Sequence, residues 1–434
     1  MPSRRRQTPR PHKRGTRIEP AQAPTRTAPP KLVPTSQAGR SRPSTLLIAG
    51  CAVALAVACV VAAHVMTSGE PREPDVTVSE APPEEATVSF VAVGDNLPET
   101  EIARYADALA GEPGDGLYDY APIYEPVRDY IESADLAYVN EETHLGGDDL
   151  GPAGYPSFNT TDAMADAIVE TGFDLVGSAS NHAYDWGYFG ANEHSRKVWN
   201  SKPVVFVGTA TNEQEASQIA TIEKNGITFA LLDYTYGVNG YDEEDLPGHA
   251  VNYMHKDRIE ADVARAHEVA DVVLVAMHWG TENLMEADET QLDYAQFLAD
   301  LGVDVVLGSH PHVIGPLAWV EGEGGNRTLV AYSLGNFLSN HPYPGPRNEL
   351  EGMLSCNFVR DAETGEVSVE NVSWTPLVMH TDGASFAVYA VRDYTAELAA
   401  AHPVLSTLDD PLTWLRDTSE QVVNSLGDSF PIDA

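Results

Sequence analysis

Residues 272–282 read VVLVAMHWGTE, in which six consecutive apolar residues are followed directly by His278. A run this short and this apolar is typical of a β-strand that is buried on both faces, as in a parallel sheet. Residues 305–312 read VVLGSHPH, and a second buried strand is therefore predicted to end close to His310 and His312. Because sites in α/β proteins are built at the carboxyl ends of strands, these two runs predict an α/β fold with a functional edge.

From about residue 87 onward, short β-branched runs alternate with longer amphipathic runs. This alternation predicts an α/β domain or a layered α-β-β-α domain. The predicted strands are 87–93, 136–139, 175–178, 204–207, 228–232, 272–277, 305–307 and 328–332, and the predicted helices are 101–110, 122–133, 161–171, 258–269, 289–301 and 411–426. The pattern becomes looser from about residue 385, so the domain is predicted to cover residues 87–385, followed by a C-terminal extension, residues 386–434.

The charge of the chain is divided very unevenly. Residues 1–43 contain eleven of the 26 Lys and Arg residues and only one of the 65 acidic residues, Glu19. The other 391 residues therefore hold 15 basic and 64 acidic side chains. Residues 1–43 are also rich in Pro, Ser and Thr, which predicts a disordered basic tail. Residues 67–86 are acidic and Pro-rich, which predicts an extended linker.

An uncharged segment of 23 residues, 44–66, lies between the tail and the linker. A transmembrane helix needs about 20 apolar residues, so this segment predicts one. The basic tail before it predicts a single-pass protein of the cell membrane with a cytoplasmic amino terminus and an extracellular C-terminal domain. Two alternatives are a cleaved signal peptide, which would have a shorter apolar core and a shorter leader, and a lipoprotein signal, although few apolar residues precede Cys51.

Composition excludes some classes of function. The acidic body would repel phosphates, so no nucleic-acid partner is expected, and an acidic surface also fits a high-salt habitat. Cys356 is the single cysteine after the predicted span, which excludes a disulfide within the body and a Cys-rich metal site.

Three further polar segments follow predicted strands. Asp95 follows the first strand, and residues 140–142, read as NEE, follow the second. After the third strand, Asn181 offers an amide oxygen to a metal ion. His182 is then free for acid–base chemistry, with Asp185 close enough in sequence to orient its ring.

Carboxylates, an amide and three imidazoles together suit divalent Mn, Fe or Zn. Two such ions about 3.5–4 Å apart can clamp a phosphoryl group and activate a water molecule. Taken singly, each carboxylate also fits the surface of an acidic protein, and His278 also fits a structural histidine. The His310-Pro311-His312 segment is the most specific signal, because two imidazoles at a strand exit can each face a metal ion.

The order of these groups resembles the calcineurin-like metallophosphoesterase superfamily, and within it the CapA family of poly-γ-glutamate capsule biosynthesis proteins. The resemblance extends from about residue 87 to residue 345. The segments that carry it are Gly94-Asp95, NEET at 140–143, SNHAYDWG at 180–187, YTYGVNG at 234–240, HWGTE at 278–282, GSHPH at 308–312 and YSLGNF at 332–337.

The resemblance implies a four-layer α-β-β-α metallophosphoesterase-like sandwich with two divalent metal ions. One ion would use Asp95 and His312. The other would use Asn181, His278 and His310. By alignment with the family segment, Glu142 rather than its neighbours Asn140 and Glu141 would bridge the two ions.

The resemblance also implies roles for other residues. His182 would be the general acid for the leaving group, supported by Asp185. Asn140, Glu282 and Asn336 would bind the substrate or support the ligands. The sequence departs from the superfamily at its first motif, Asp-x-His, because Asp95 is followed by Asn96 and Leu97 and one imidazole is missing.

Two functions follow as hypotheses. The first is a metal-dependent hydrolase that acts on a phosphoester or an amide bond of an exported polymer. The second is a non-catalytic assembly or export factor for an anionic surface polymer. Both predict that polymer or its precursor, and other membrane-bound synthesis proteins, as partners. A purely structural exported domain is the third reading, and it requires every ligand segment to be a coincidence.

Overall fold

The computed structural model describes residues 84–340 and 345–434. The predicted basic tail, the predicted span at 44–66 and most of the predicted linker lie outside the described residues. Within the part that is described, no helix combines the length and the apolar character that crossing a membrane requires.

The described residues form two sheets. The strands are β1 (Ala86–Leu97), β2 (Leu136–Glu141), β3 (Leu175–Gly177), β4 (Val205–Val207), β5 (Ala220–Lys224), β6 (Ile227–Thr235), β7 (Val272–His278), β8 (Val305–Ser309), β9 (Leu317–Glu321), β10 (Arg327–Ala331), β11 (Asn336–Ser339), β12 (Leu350–Arg360), β13 (Val367–Thr381) and β14 (Phe386–Ala390). The first sheet has the order β14-β13-β12-β1-β2-β3-β4, with β11 paired to β1, and the second has the order β5-β6-β7-β8-β10-β9.

Helices connect many of these strands. They are α1 (Thr100–Ala110), α2 (Ala121–Glu132), α3 (Ala163–Thr171), α4 (Ser195–Trp199), α5 (Glu213–Ala216), α6 (Lys256–Ala266), α7 (Glu289–Asp300), α8 (Ala396–Ala401) and α9 (Pro411–Val423). The mixed α/β character predicted from the sequence is confirmed. Six strands were not predicted, namely β5, β9, β11, β12, β13 and β14. The first sheet continues past residue 385 because β14 pairs with β13.

Strand alternation builds three apolar layers. In β1, Phe90 and Ala92 belong to a core shared by both sheets, whereas Val91 and Val93 belong to a core shared with α1, α2 and α3. In β7, Leu274 also faces the shared core, and its neighbours on either side face α6 and α7. Because successive side chains of a strand point to opposite faces, each sheet packs against the other sheet on one face and against helices on the other.

The parallel strands point their carboxyl ends to one edge of each sheet. β1, β2, β3 and β4 pair in parallel, and so do β6, β7, β8 and β10. The parallel pairing of β1 with β11 also places Asn336 opposite Asp95. The loops that follow these strands therefore meet at the same place.

Gly94 lies where β1 meets the turn before β11. The backbone N–H of Asp95 donates a hydrogen bond to the carbonyl oxygen of Gly335 at 3.0 Å. A Cβ atom on Gly94 would lie 1.8 Å from that oxygen. Only glycine fits here, because the neighbouring atom is backbone and cannot turn away.

Gly94→Ala is expected to lower the free energy of unfolding by about 3 kcal/mol, since the added methyl group has no room. Urea denaturation of the full-length chain measures the change. Gly248→Ala is the matched control, because nothing lies within 4 Å of a Cβ atom at that position. Equal stability of the two variants would contradict the close approach.

Candidate metal centre

The six predicted ligands lie where parallel strands of both sheets end. The first sheet supplies three of them, from the ends of β1 and β2 and the turn after β3, and the second supplies three, from the ends of β7 and β8. They are Asp95, Glu142, Asn181, His278, His310 and His312, and all six are buried.

Asp95 and Glu142 both lie close to His312. Nδ1 of His312 is 3.6 Å from Oδ2 of Asp95 and 3.9 Å from Oε2 of Glu142. The other carboxylate oxygen of Glu142, Oε1, is 3.6 Å from Nε2 of His278. The ligand atoms of Asp95, Glu142 and His312 all lie within 4.8 Å of one another, close enough to share one metal ion. Glu142 therefore lies between two histidines that come from different strands.

Asn181 and Ser309 orient the ring of His278. Nε2 of His278 is 2.8 Å from Oδ1 of Asn181, and Nδ1 is 2.8 Å from Oγ of Ser309. When Nδ1–H donates to the serine hydroxyl, the lone pair of Nε2 faces the carboxylate and amide oxygens, an arrangement that is favourable only with a cation between them. The ring centroid of His310 is 4.8 Å from that of His278, so both imidazoles line the same space.

The turn after β8 is strained. His310 and His312 have φ angles of 93° and 56°, which residues other than glycine rarely adopt. Such conformations cost about 1–3 kcal/mol each and persist only where the surroundings hold them. Here Oδ2 of Asp95 accepts the backbone N–H of His310 at 3.0 Å, and Nδ2 of Asn348 donates to the carbonyl oxygen of His312 at 3.1 Å.

Burial sets the charge states of this cluster. Burial raises the pKa of Asp95 to about 7, although hydrogen bonds from His310 and Asn140 act in the opposite direction. Burial also raises the pKa of Glu142 well above its ordinary range, and repulsion from Asp95 adds to the rise. Burial lowers the pKa of His310 to about 3 and the pKa of His278 well below its ordinary value. The imidazoles are therefore neutral at pH 7, as metal ligands must be.

Three buried polar atoms of the cluster have no hydrogen-bond partner. They are both carboxylate oxygens of Glu142 and Nδ1 of His310. An unpaired buried polar atom costs about 1–3 kcal/mol, and a charged one costs more. Divalent Mn, Fe or Zn accept this combination of oxygen and nitrogen ligands and would supply the missing partners. The residues present therefore fit the expected metal ions.

His182 and Asp185 form a pair beside the cluster. Nδ1 of His182 is 2.8 Å from Oδ2 of Asp185, and that oxygen also accepts the backbone N–H of Phe158 at 2.7 Å. The ring of Phe158 lies edge-on to the imidazole, with centroids 4.6 Å apart. With Nδ1–H held by the carboxylate, Nε2 is the nitrogen that can exchange a proton. It is 3.5 Å from Nδ2 of Asn239.

Asn140 and Asn336 each contact a predicted ligand. Nδ2 of Asn140 donates to Oδ1 of Asp95 at 2.7 Å. Oδ1 of Asn336 is 2.9 Å from Nδ1 of His312. Both amides are buried, so they restrict the rotation of the two side chains that they contact.

Glu141 and Glu142 point to opposite sides of the sheet, because successive side chains alternate along a strand. Glu141 faces the other way, where its Oε2 accepts a hydrogen bond from Nδ2 of Asn96 at 2.8 Å. Oδ1 of Asn96 accepts from the hydroxyl of Tyr124 at 2.6 Å, on the helix-covered side of the sheet. Leu97 is buried and apolar where the superfamily motif has an imidazole. Neither residue that follows Asp95 therefore supplies a ligand to the cluster.

Tyr236 and Glu282 lie at the exposed side of the histidines. The ring centroid of Tyr236 is 4.8 Å from that of His310 and 6.4 Å from that of His278. Glu282 is exposed, and one of its oxygens lies within 4.8 Å of ligand atoms of His310 and His312. This places Glu282 close enough to be a ligand. Tyr236 follows the carboxyl end of β6, so the positional rule that predicted the histidines could also have predicted it.

Asp233 is a further buried carboxylate that the sequence analysis did not identify. Its Oδ2 accepts the backbone N–H groups of Ser178 and Ala179, at 2.6 and 2.7 Å. These residues begin the turn that carries Asn181, so Asp233 anchors that turn to the second sheet. The sequence did contain a signal for this residue, namely an isolated Asp inside an otherwise apolar strand.

The fold and the site together define a class of protein. It is an α/β protein with two facing sheets and a buried histidine–carboxylate cluster, fitted for divalent metal ions, at their carboxyl edge. The family described as bacterial capsule synthesis protein PGA_cap matches residues 89–341, which include all six predicted ligands. The chain therefore belongs to this family, and the resemblance to CapA proteins is confirmed.

The chain is similar to several known proteins. The chain is 26% identical over 293 residues to the PGA biosynthesis protein CapA of Bacillus subtilis (strain 168), which covers 64% of this chain and 69% of that protein. It is 29% identical over 178 residues to the capsule biosynthesis protein CapA of Bacillus anthracis, covering 40% and 41% respectively. Among solved structures, the calcineurin-like phosphoesterase YfkN from Bacillus subtilis is similar at 13% identity and a TM-score of 0.43, covering 77% of this chain and 100% of that one.

The full-length chain is expected to bind about two equivalents of Mn²⁺, and His310→Ala is expected to bind about one. The reason is that the substitution removes the unpaired Nδ1 from the cluster. Elemental analysis after gel filtration measures both. His255→Ala, at an exposed histidine paired with Glu243, is the control and should keep the wild-type content. A wild-type chain that binds no metal under any condition would contradict the assignment.

Below pH 7, the affinity for Mn²⁺ is expected to rise about tenfold per pH unit for each proton that metal binding releases. Asp95 has a pKa of about 7, so it must lose a proton to become a ligand in this range. His310, whose pKa is about 3, is already neutral and releases none. Calorimetric titrations in two buffers with different heats of ionisation count the protons. An affinity that does not change between about pH 5.5 and 7 would rule out a protonated ligand.

Proposed function

We propose that this protein is a membrane-anchored, metal-dependent, hydrolase-like protein of capsule biosynthesis. Its substrate would be poly-γ-glutamate or a related anionic surface polymer, or a precursor of it. The observation that carries the proposal is the position of Glu142, whose two unpaired oxygens lie between His278 and His312. A cluster of this kind beside an acid–base pair provides the parts that metal-dependent hydrolysis needs.

The ligands divide into two sets around Glu142. In this proposal Asp95 and His312 would hold one ion, and Asn181, His278 and His310 would hold the second. Glu142 would contribute its carboxylate to both sets. Two bound divalent ions would polarise the scissile phosphoryl or carbonyl group and lower the pKa of an attacking water molecule.

The proposed role of His182 is to protonate the leaving group. Asp185 accepts Nδ1–H and holds the imidazole in place, so that Nε2 is the nitrogen that exchanges the proton. The ring is close enough to the cluster for its charge to affect the pKa of both His278 and His310. The contact with Phe158 limits the movement of the ring, which keeps Nε2 directed away from Asp185.

The proposed setting is the outer side of the cell membrane. The predicted span at 44–66 would anchor the chain, and the linker would hold the domain outside the cytoplasm. The partners would be the polymer or its precursor and other membrane-bound synthesis proteins. Because the body is acidic, a polyanion would be attracted only where bound metal ions reverse the local charge.

The second candidate function is a non-catalytic assembly or export factor for the same polymer. The observation that favours it is Leu97, which is buried where the superfamily motif has an imidazole. One metal position would then be weaker, and the centre would bind the polymer without cleaving it.

Turnover separates the two functions. With Mn²⁺ added, the full-length chain is expected to hydrolyse poly-γ-glutamate or a generic phosphodiester, and His182→Ala is expected to lower kcat by about 10²–10⁴-fold. Metal content should not change in this variant, because His182 is not among the ligands. His255→Ala again serves as the control. Full activity in His182→Ala would remove His182 from the mechanism.

A different pattern would favour the assembly factor. In that case the full-length chain binds the polymer in a pull-down assay, the binding is lost on chelation, and no hydrolysis occurs with any of the expected metals. Polymer binding that survives chelation would contradict both candidates, since both place the polymer at the metal centre.

A further inference from the structure

A cavity of about 440 Å³ lies beside the metal centre. Asn348 lines it and also donates a hydrogen bond to the carbonyl oxygen of His312. Ser339, another lining residue, lies three positions after Asn336 on β11, which corresponds to about 10 Å along the strand. Residues at the start of α1 and from the C-terminal part of the chain form the other walls.

Glu99 is the distinctive residue of this cavity. It precedes α1 and is only 8% exposed, yet its carboxylate does not cap that helix. One oxygen lies against residues 154–155, where it accepts the backbone N–H of Tyr155. The other oxygen, Oε1, is buried with no hydrogen-bond partner.

The lining of the cavity carries three carboxylates. Glu101 pairs with Arg104 at 3.0 Å, and Oε2 of Glu349 is 3.4 Å from Nε2 of His402. Only Glu99 therefore lacks a basic partner among the described residues. Glu349 is buried there, and Glu101 lies at the exposed rim. Nδ1 of His402 accepts backbone N–H groups at 3.1 and 3.3 Å, and Nε2 is 3.2 Å from the carbonyl oxygen of Met379. No lysine or arginine is found among the described residues of the lining. Oγ of Ser339 is buried and unpaired as well, which leaves a second polar atom ready for a ligand.

The remaining walls are partly apolar. Met379, Phe386, Pro403 and Val404 supply the apolar part, and the last three come from the C-terminal extension predicted from the sequence. The uncharged polar side chains of the lining are those of Asn340, Asn348, Ser339 and Thr381. A bare metal ion is a poor fit for such a lining. Across residues 84–340 and 345–434, groups of three His, Cys, Asp or Glu residues with ligand atoms within 4.8 Å occur only at the metal centre. An organic cation with an apolar stem fits both the charge and the walls.

We propose that this cavity binds a primary ammonium group on an unbranched alkyl stem, with Glu99 and Glu349 contacting the ammonium and Phe386 and Met379 contacting the stem. An ammonium group has three N–H donors and would satisfy the unpaired oxygen of Glu99 and the hydroxyl of Ser339. Burial raises the pKa of Glu99 to about 7, and a bound cation would reverse that rise. The site does not depend on the hydrolase proposed above, because none of these residues is a predicted metal ligand.

The test is calorimetric titration of the full-length chain with n-pentylammonium chloride at pH 8, with pentan-1-ol as the neutral probe of the same length. We expect the ammonium to bind at least tenfold more tightly than the alcohol. Glu99→Gln should weaken ammonium binding at least tenfold, and Glu349→Gln should weaken it too. Glu112→Gln, at an exposed position away from the cavity, makes the same change of charge and should have no effect.

Two further measurements keep the result interpretable. Thermal unfolding without ligand shows whether Glu99→Gln folds, and its Tm should equal or exceed that of the wild type because an unpaired buried carboxylate has been removed. Chelation of divalent metals should leave ammonium binding unchanged, which separates this site from the metal centre. The proposal is overturned if Glu99→Gln folds and binds like the wild type, if the alcohol binds as tightly as the ammonium, or if chelation abolishes the binding.

Discussion

The carboxylate of Asp95 joins the two sheets at the edge where the candidate metal centre lies. One oxygen accepts a hydrogen bond from Asn140 of the same sheet, and the other accepts the backbone N–H of His310, which follows a strand of the second sheet. A fully buried carboxylate is tolerated only when its oxygens are paired or its charge is compensated. The arrangement of this edge therefore depends on both sheets being in place, and the ligand geometry is a property of the whole fold.

Support for the centre extends outward through residues that bind no metal. Asn336 contacts His312, and its backbone N–H donates to Oε2 of Glu351 at 2.5 Å. Glu351 lies on β12, which pairs with β1 on the side opposite β2. In this way a strand far along the chain holds the residue that orients a ligand. The absence of a side chain at Gly94 allows the same region of backbone to approach β1 closely.

The C-terminal part of the chain belongs to this architecture. Leu415, Val423 and Phe430 pack into the core between the sheets, and β14 completes one side of the first sheet. Phe386 and His402 then close the acidic cavity next to the metal centre. From the sequence this region had only a loose pattern and one predicted helix. Its one strand, β14, is an apolar run of only five residues, FAVYA, and it was not predicted.

The amino-acid sequence by itself determined the α/β class, the strands that end in candidate ligands and the family. These features are local: each buried strand is a short apolar run, and its ligand lies within a few residues of its end. The tertiary structure decided what depends on pairing between distant segments. It brought Glu142 to the histidines of the second sheet, put β12 beside β1, and brought Glu99 and Glu349 to one cavity. Sequence patterns do not record such pairings, because the free energy that selects them comes from contacts between residues that are hundreds of positions apart.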